Sequence, residues 1–254
     1  MPIMALAAIG AAFLLLPLVA LLLRAPWAEF GASLGAAGAW TALRLSIVVS
    51  LLSTAVSMLL GVPLAWLLAR VRFPGRSLVR AIAVLPVVLP PVVGGIGLLE
   101  ALGRRGVVGR VLYDTLGIQL TFTTWGAVIA AAFVSMPLVV LATEAGFRSL
   151  DVRLEYAAST LGARPGYVFR RITLPLVAPQ LVAGAVLAWA RALGEFGATI
   201  TFAGNLPGRT QTLPLAVYEA SQAEPGGAIL LSLILVSLSI VVLVVLRDRV
   251  TQGR

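Results

Sequence analysis

From Ala228 to Leu246 the chain runs for nineteen residues without a charge. As a helix this is roughly 28 Å long at 1.5 Å per residue, about one hydrocarbon thickness. Comparable runs occupy residues 3–23, 45–69, 81–99, 125–141 and 176–200. Inside a bilayer a segment has to satisfy its own backbone hydrogen bonds, so separate apolar runs of this length fold as spanning helices. The expectation is an all-α, polytopic membrane protein with about six transmembrane helices, and residues 1–254 form one membrane domain.

Composition narrows what such a domain can do. The chain is 60% hydrophobic and 11% charged, contains neither Cys nor His, and has only Arg among its basic residues. Thiolate and imidazole metal sites and the usual nucleophile–base arrangements are therefore missing, and no catalytic residue or metal ligand is assigned. Without Lys there is no phosphate-binding P-loop, so ATP and Mg would be handled by another chain and no cofactor is expected on this one. The net charge of +9 comes from arginines scattered between apolar runs. That pattern fits the positive-inside rule and argues against nucleic acid.

Two spans are irregular. In 81–99, Pro86, Pro90 and Pro91 remove helix hydrogen bonds, and Gly94, Gly95 and Gly97 follow. Such a helix must be kinked or broken, and freed backbone at membrane depth is tolerated only against protein or a wet cavity, so this span is expected to line a pathway. In 176–200, Arg191 and Glu195 are the opposite charges placed well inside an apolar run; on one continuous helix face, at i and i+4, they would neutralise each other. Thr199, Thr201 and Asn205 follow as neutral hydrogen-bonding groups near the external mouth. The second span carries Ser46, Ser50, Ser53, Thr54 and Ser57, which favour packing on other helices. Residues 25–44 read as a loop or surface helix with Trp27 and Trp40 at interface positions, 103–124 as an external loop with a short amphipathic piece, and 203–227 as a turn-rich external loop.

The segment 151–175 differs from everything around it. Asp151 is a plausible N-cap, Leu154, Ala157, Ala158 and Leu161 lie on a helical stretch, Gly162 offers a left-handed stop, and Pro165 opens a second short helix. The small pair Ala157 and Ala158 permits close approach of a facing surface. Ala157-Ala158, three residues, Gly162, nine residues, then Ile172-x-Leu174-Pro175 resembles the EAA loop of ABC importer membrane subunits. That resemblance implies coupling helices that seat in a groove of the ATPase, with Glu155, Tyr156, Ala157, Ala158, Gly162, Ile172, Leu174 and Pro175 as coupling residues. The sequence departs from the pattern in one place: Tyr156 stands directly before the alanine pair, where the family usually has Glu, and Glu155 comes one residue earlier.

A wider resemblance runs over roughly residues 40–220, through LRLSIVVSLLSTAVSMLLGVPLAWLLAR, FPGRSLVRAIAVLPVVLPPVVGG, LGRRGVVGR and, most specifically, RALGEFGATITFAGNLPGRTQTLPLAVY. These segments look like the permease subunit of molybdate/tungstate ABC importers, with a type I importer fold. The family implies a second copy of this chain, two cytoplasmic ATPase subunits, an external substrate-binding protein and a surround of membrane lipid. Sulfate/thiosulfate permeases are similar in the EAA loop and the Gly-Glu-Phe-Gly stretch, and the continuation Thr199 to Gly208 separates the two. The expected path residues are Pro86, Pro90, Pro91, Gly94, Gly95, Arg191, Glu195, Thr199, Thr201 and Asn205. A proton-driven secondary transporter would show unpaired acids or histidines at depth, and a scaffold has no need of a proline-broken span.

Orientation follows from the arginines. With both termini inside, the inner segments 70–80, 144–176 and 247–254 hold twelve arginines and the outer segments hold six. The chain is thus expected as a multi-pass inner-membrane protein with cytoplasmic termini and a cytoplasmic insert.

Overall fold

The computed structural model describes the backbone of residues 2–29, 31 and 38–251 and, Glu29 apart, their side chains as far as Val242. Among the described residues all regular structure is helical. In chain order these are α1 (Pro2–Arg24), a single 3-10 turn (Trp27–Glu29), α2 (Ala39–Arg70), α3 (Arg76–Val88), α4 (Pro91–Leu102), α5 (Gly109–Leu116) and α6 (Thr124–Ser149). Then come α7 (Val152–Thr160), α8 (Pro165–Val168), a π-helical turn (Phe169–Thr173), α9 (Leu174–Leu193), α10 (Gly197–Phe202), α11 (Leu213–Ala223) and α12 (Pro225–Thr251). Five helical stretches are long and apolar enough to cross a membrane, and α3 with α4 makes a sixth as a bent pair.

Helix α6 stands at the centre, packed along α2 and α9 and against α3. Its Ala127, Ala130, Ala131, Ala132 and Ser135 are buried, so small side chains bring the neighbouring backbones close. The serines of α2 face the same way, since 46, 50, 53 and 57 recur at helical spacing and all four are buried. Ser57 Oγ lies 3.1 Å from Ser135 Oγ on α6. The indole N–H of Trp189 on α9 donates to Ser50 Oγ at 2.9 Å. Hydroxyls thus replace lipid contacts with interhelical hydrogen bonds, as their density predicts.

The third span is two helices meeting at 119°. A residue that precedes proline is pushed to extended backbone, and here Leu89 (ψ 135°) and Pro90 (ψ 129°) both precede one. The helix ends at Val88 and restarts at Pro91, whose missing N–H falls where a first turn has no partner for it. Pro86, by contrast, stays inside α3.

Four expectations are corrected. The fifth span does not continue to Ile200: α9 stops at Leu193 with Gly194 as its C-cap, and α10 starts after a three-residue break. Helix α2 begins at Ala39, so Trp40 and Arg44 belong to the first turns of the spanning helix and not to a separate loop or surface helix. Residues 203–227 are not all external loop, because Thr210 to Leu213 and Leu215 are buried and α11 packs on α2 and α12. The backbone N–H of Leu213 donates to Ser46 Oγ at 2.6 Å, which is how this segment is tied to α2. Finally, Arg247 to Arg249 end the apolar run but not the helix, which continues to Thr251. The reading of 32–37 as connection and of Arg254 as an inner-side charge falls outside the described residues.

Candidate functional site

The insert folds as its punctuation predicts. Asp151 caps α7, its carboxylate accepting the Arg153 N–H at 2.9 Å. Gly162 takes φ +84°, a conformation that glycine adopts without a Cβ penalty, and Pro165 stands at the start of α8. No residue of α7 is buried. Tyr156 is 70% exposed and Leu161 89%, with Val152 and Leu154 exposed beside them, while Ala157 and Gly162 are also open and Ala158 is half-buried. An apolar surface on the most polar part of the chain, left uncovered among the described residues, is the mark of an interaction site.

Below that surface the insert is fastened to the membrane helices. Glu155 accepts from Arg70 Nη2 at 3.1 Å and from Thr173 Oγ1 at 2.6 Å. One carboxylate therefore joins the end of α2, the short helix α7 and the π-turn. The clasp borders a cleft of about 430 Å³, also lined by Trp66, Tyr156, Pro165 and Phe169. Ile172 is half-buried beside Thr173, while Leu174 and Pro175 start α9 on an exposed face. The shift of Glu155 by one place from the family pattern left open whether it forms an ion pair. The structure supplies one from within the chain, through Arg70.

A second junction lies nearby, where Glu144, 5% exposed, accepts from Arg80 Nε at 3.0 and 3.2 Å and pairs with Arg148 Nη2 at 2.9 Å. It pins α3 to α6. Neither Arg70 nor Glu144 stands out by motif or spacing, and the only local hint for Glu144 is its i, i+4 relation to Arg148.

The broken spans come together. Gly94 and Gly95 on α4 are buried, and a Cβ on Gly95 would meet Thr201 Oγ1 and stand 2.9 Å from the Ala198 carbonyl oxygen. A Cβ on Gly197 would stand 2.9 Å from Pro91 Cβ. Helices α4 and α10 therefore touch backbone to backbone, as one block formed from the breaks in two spans. Thr201 donates to the Gly197 carbonyl at 2.9 Å, within its own helix, and Thr199 is buried. Asn205 donates to Glu219 at 2.8 Å, which ties the loop to α11.

Arg191 and Glu195 do pair, with Nη1 2.6 Å from Oε2, although not on one continuous helix face. Glu195 sits in the break beyond α9, and its Oε1 accepts the Ala198 N–H at 2.8 Å. The acid thus caps α10 while neutralising an arginine on the last turn of α9.

Residues 61–252 match the model of the family described as "Binding-protein-dependent transport system inner membrane component". The chain belongs to this family. It is a multi-pass inner-membrane permease, a transport subunit and not an enzyme. Among its relatives, the molybdenum transport system permease protein ModB of Mycobacterium tuberculosis is 46% identical over 96% of this chain and 92% of that protein. The Escherichia coli K12 protein of the same name is 49% identical over 81% of this chain and 91% of its own. A probable sulfate transport system permease protein of Chlorokybus atmophyticus is 32% identical over 91% of this permease and 82% of that protein. The fold is that of ABC importer permeases. A chain of a bacterial ABC transporter involved in alginate import matches with TM-score 0.74 at 18% identity, covering 98% of this chain and 94% of that one. A chain of the MetNI methionine ABC transporter matches with TM-score 0.63 at 17% identity, covering 85% and 94%.

Proposed function

We propose that this permease carries molybdate or tungstate across the inner membrane as part of an ATP-driven importer. The observation that carries the reading is 46–49% identity, over most of the chain, to permeases named for molybdenum transport. Residues 191–218 are the most specific part of that resemblance.

In this reading two copies of the chain form the conduit, each seated on a cytoplasmic ATPase subunit through α7 and the Gly162 turn. An external binding protein delivers the anion. ATP and Mg act on the ATPase, and this chain holds no cofactor. The arginine distribution supports cytoplasmic termini and a cytoplasmic insert. Proline-broken α3–α4 and the α9–α10 break supply the path, and the Glu155 clasp relays movement of α7 to α2 and α9.

A sulfate importer is the second reading, favoured by the 32% identical sulfate permease. The two separate in one experiment. With the cognate ATPase and binding protein, ATP hydrolysis should rise when the binding protein is loaded with molybdate or tungstate and stay near its basal rate when it is loaded with sulfate. Stimulation by sulfate alone would favour the second reading.

A further inference from the structure

The bend between α3 and α4 borders a partly open cavity of about 110 Å³, bounded by the Pro86–Pro91 turn, by Val134 and Leu138 of α6, and by Arg191. Every lining side chain except Arg191 is apolar. The space is large enough for a few water-sized groups, and so for a small polyatomic anion. The side chains of the ion pair are unequally placed: Glu195 is 1% exposed and Arg191 32%. The acid is held by a hydrogen bond from the Ala198 N–H to Oε1, and its Oε2 stands at ion-pair distance from Arg191 without a hydrogen bond of its own. Among the described residues, Glu195 is the only ion-pair partner of Arg191. A guanidinium carries five N–H donors in a planar fork, so an arginine held by one nitrogen still has donors to present to the cavity.

We propose that Arg191 is the transit contact for the oxyanion, at the point where the third span breaks, and that Glu195 sets how long the anion stays. This rests on the oxyanion-importer reading and gives it a residue. A lone guanidinium in an apolar cavity would hold a dianion firmly, because Arg–oxyanion hydrogen bonds are charge-assisted and bidentate. Here the same guanidinium already neutralises a buried carboxylate that cannot move away, since the start of α10 holds its other oxygen. The anion competes with Glu195 for one positive charge. The contact therefore attracts the anion into an otherwise apolar stretch and releases it again.

The test is anion retention by the purified complex of permease and ATPase, incubated without nucleotide in radiolabelled molybdate and passed through a desalting column. Glu195→Gln removes the competitor and is expected to retain at least about tenfold more label than the unmodified complex, the equivalent of about 1.4 kcal/mol. In Arg191→Gln/Glu195→Gln, where no charge is left unpaired, retention should fall back to the unmodified level. A structural ion pair would change assembly or stability in these variants without changing retained anion. An assembled Glu195→Gln complex with unchanged retention overturns the proposal, as does equal retention in the double variant. Should Glu195→Gln fail to assemble, Glu195→Asp draws the carboxylate back by one methylene, and retention should still rise; no rise in its assembled complex overturns the proposal too. Parallel incubations with labelled sulfate keep the two levels apart. Retention of sulfate in place of molybdate, with the same dependence on Arg191 and Glu195, upholds the transit contact and removes the molybdate reading.

Discussion

Arg70 and Glu155 lie 85 residues apart in the chain and meet with Nη2 3.1 Å from Oε1. Both side chains are mostly buried, at 15% and 25% exposure, so the pair is shielded from the screening that makes surface ion pairs weak. Thr173 Oγ1 shares the same carboxylate oxygen at 2.6 Å. The clasp ties α7 to the end of α2 and to the turn that leads into α9. Charge-assisted hydrogen bonds contribute about 1.5–3 kcal/mol. Arg70→Gln or Glu155→Gln is expected to leave ATPase binding intact and to cut uptake per ATP roughly tenfold, the equivalent of about 1.4 kcal/mol. The exchange Arg70→Glu with Glu155→Arg should restore part of the loss. Wild-type ratios in both single variants would mean that the pair bears no load.

Docking itself is tested on the outer face of the insert. Leu161 at 89% exposure and Tyr156 at 70% are left largely uncovered by the described residues. Leu161→Arg or Ala158→Arg should therefore leave the permease folded in the membrane while its co-purification with the ATPase falls. Gly162→Pro should act the same way, because proline cannot take the observed φ of +84°. Normal co-purification of all three would exclude α7 as the ATPase contact.

Much of this was legible in the sequence because it is local. Asp151, Gly162 and Pro165 dictate backbone within a few residues, and consecutive prolines at 90 and 91 end a helix wherever they occur. The serines at 46, 50, 53 and 57 announce a packed face by spacing alone. The break after Leu193 was not legible, since Arg191 and Glu195 satisfy an i, i+4 rule equally well on a straight helix. Only the buried start of α10, with the Ala198 N–H reaching Glu195 at 2.8 Å, shows where the acid is used. Likewise the clasp joins residues whose separation in sequence carries no periodic signal. Leu213 and Leu215 were hidden among turn residues, and a segment polar by composition nonetheless buries them completely.

The contact between α4 and α10 gives a paired test. Gly95→Ala would drive a methyl group into Thr201 and the Ala198 backbone, 2.9 Å from its carbonyl oxygen, and overpacking of this kind costs about 1–3 kcal/mol. Gly97→Ala on the same helix meets nothing within 4 Å. Thermal unfolding of the purified complex should show a lowered midpoint for the first and little change for the second. Equal midpoints would mean that α4 and α10 do not pack closely in the assembled importer.

Glu144 separates charge from shape. Glu144→Gln keeps an oxygen for Arg80 and Arg148, whereas Glu144→Leu leaves both arginines without their shared acceptor. The Leu variant is expected to lose about 1–3 kcal/mol and the Gln variant less, read as loss of stability in detergent. Stability of the Leu variant at or above that of the Gln variant would show that the junction is held by packing alone.

The central claim is tested most directly by uptake. Proteoliposomes holding this permease with its ATPase and binding protein are given labelled molybdate, with and without ATP on the ATPase side. Molybdate should accumulate only with ATP, the ATPase and the binding protein together, and sulfate uptake should be far lower under the same conditions. Accumulation without ATP, or of sulfate with no molybdate, would contradict it.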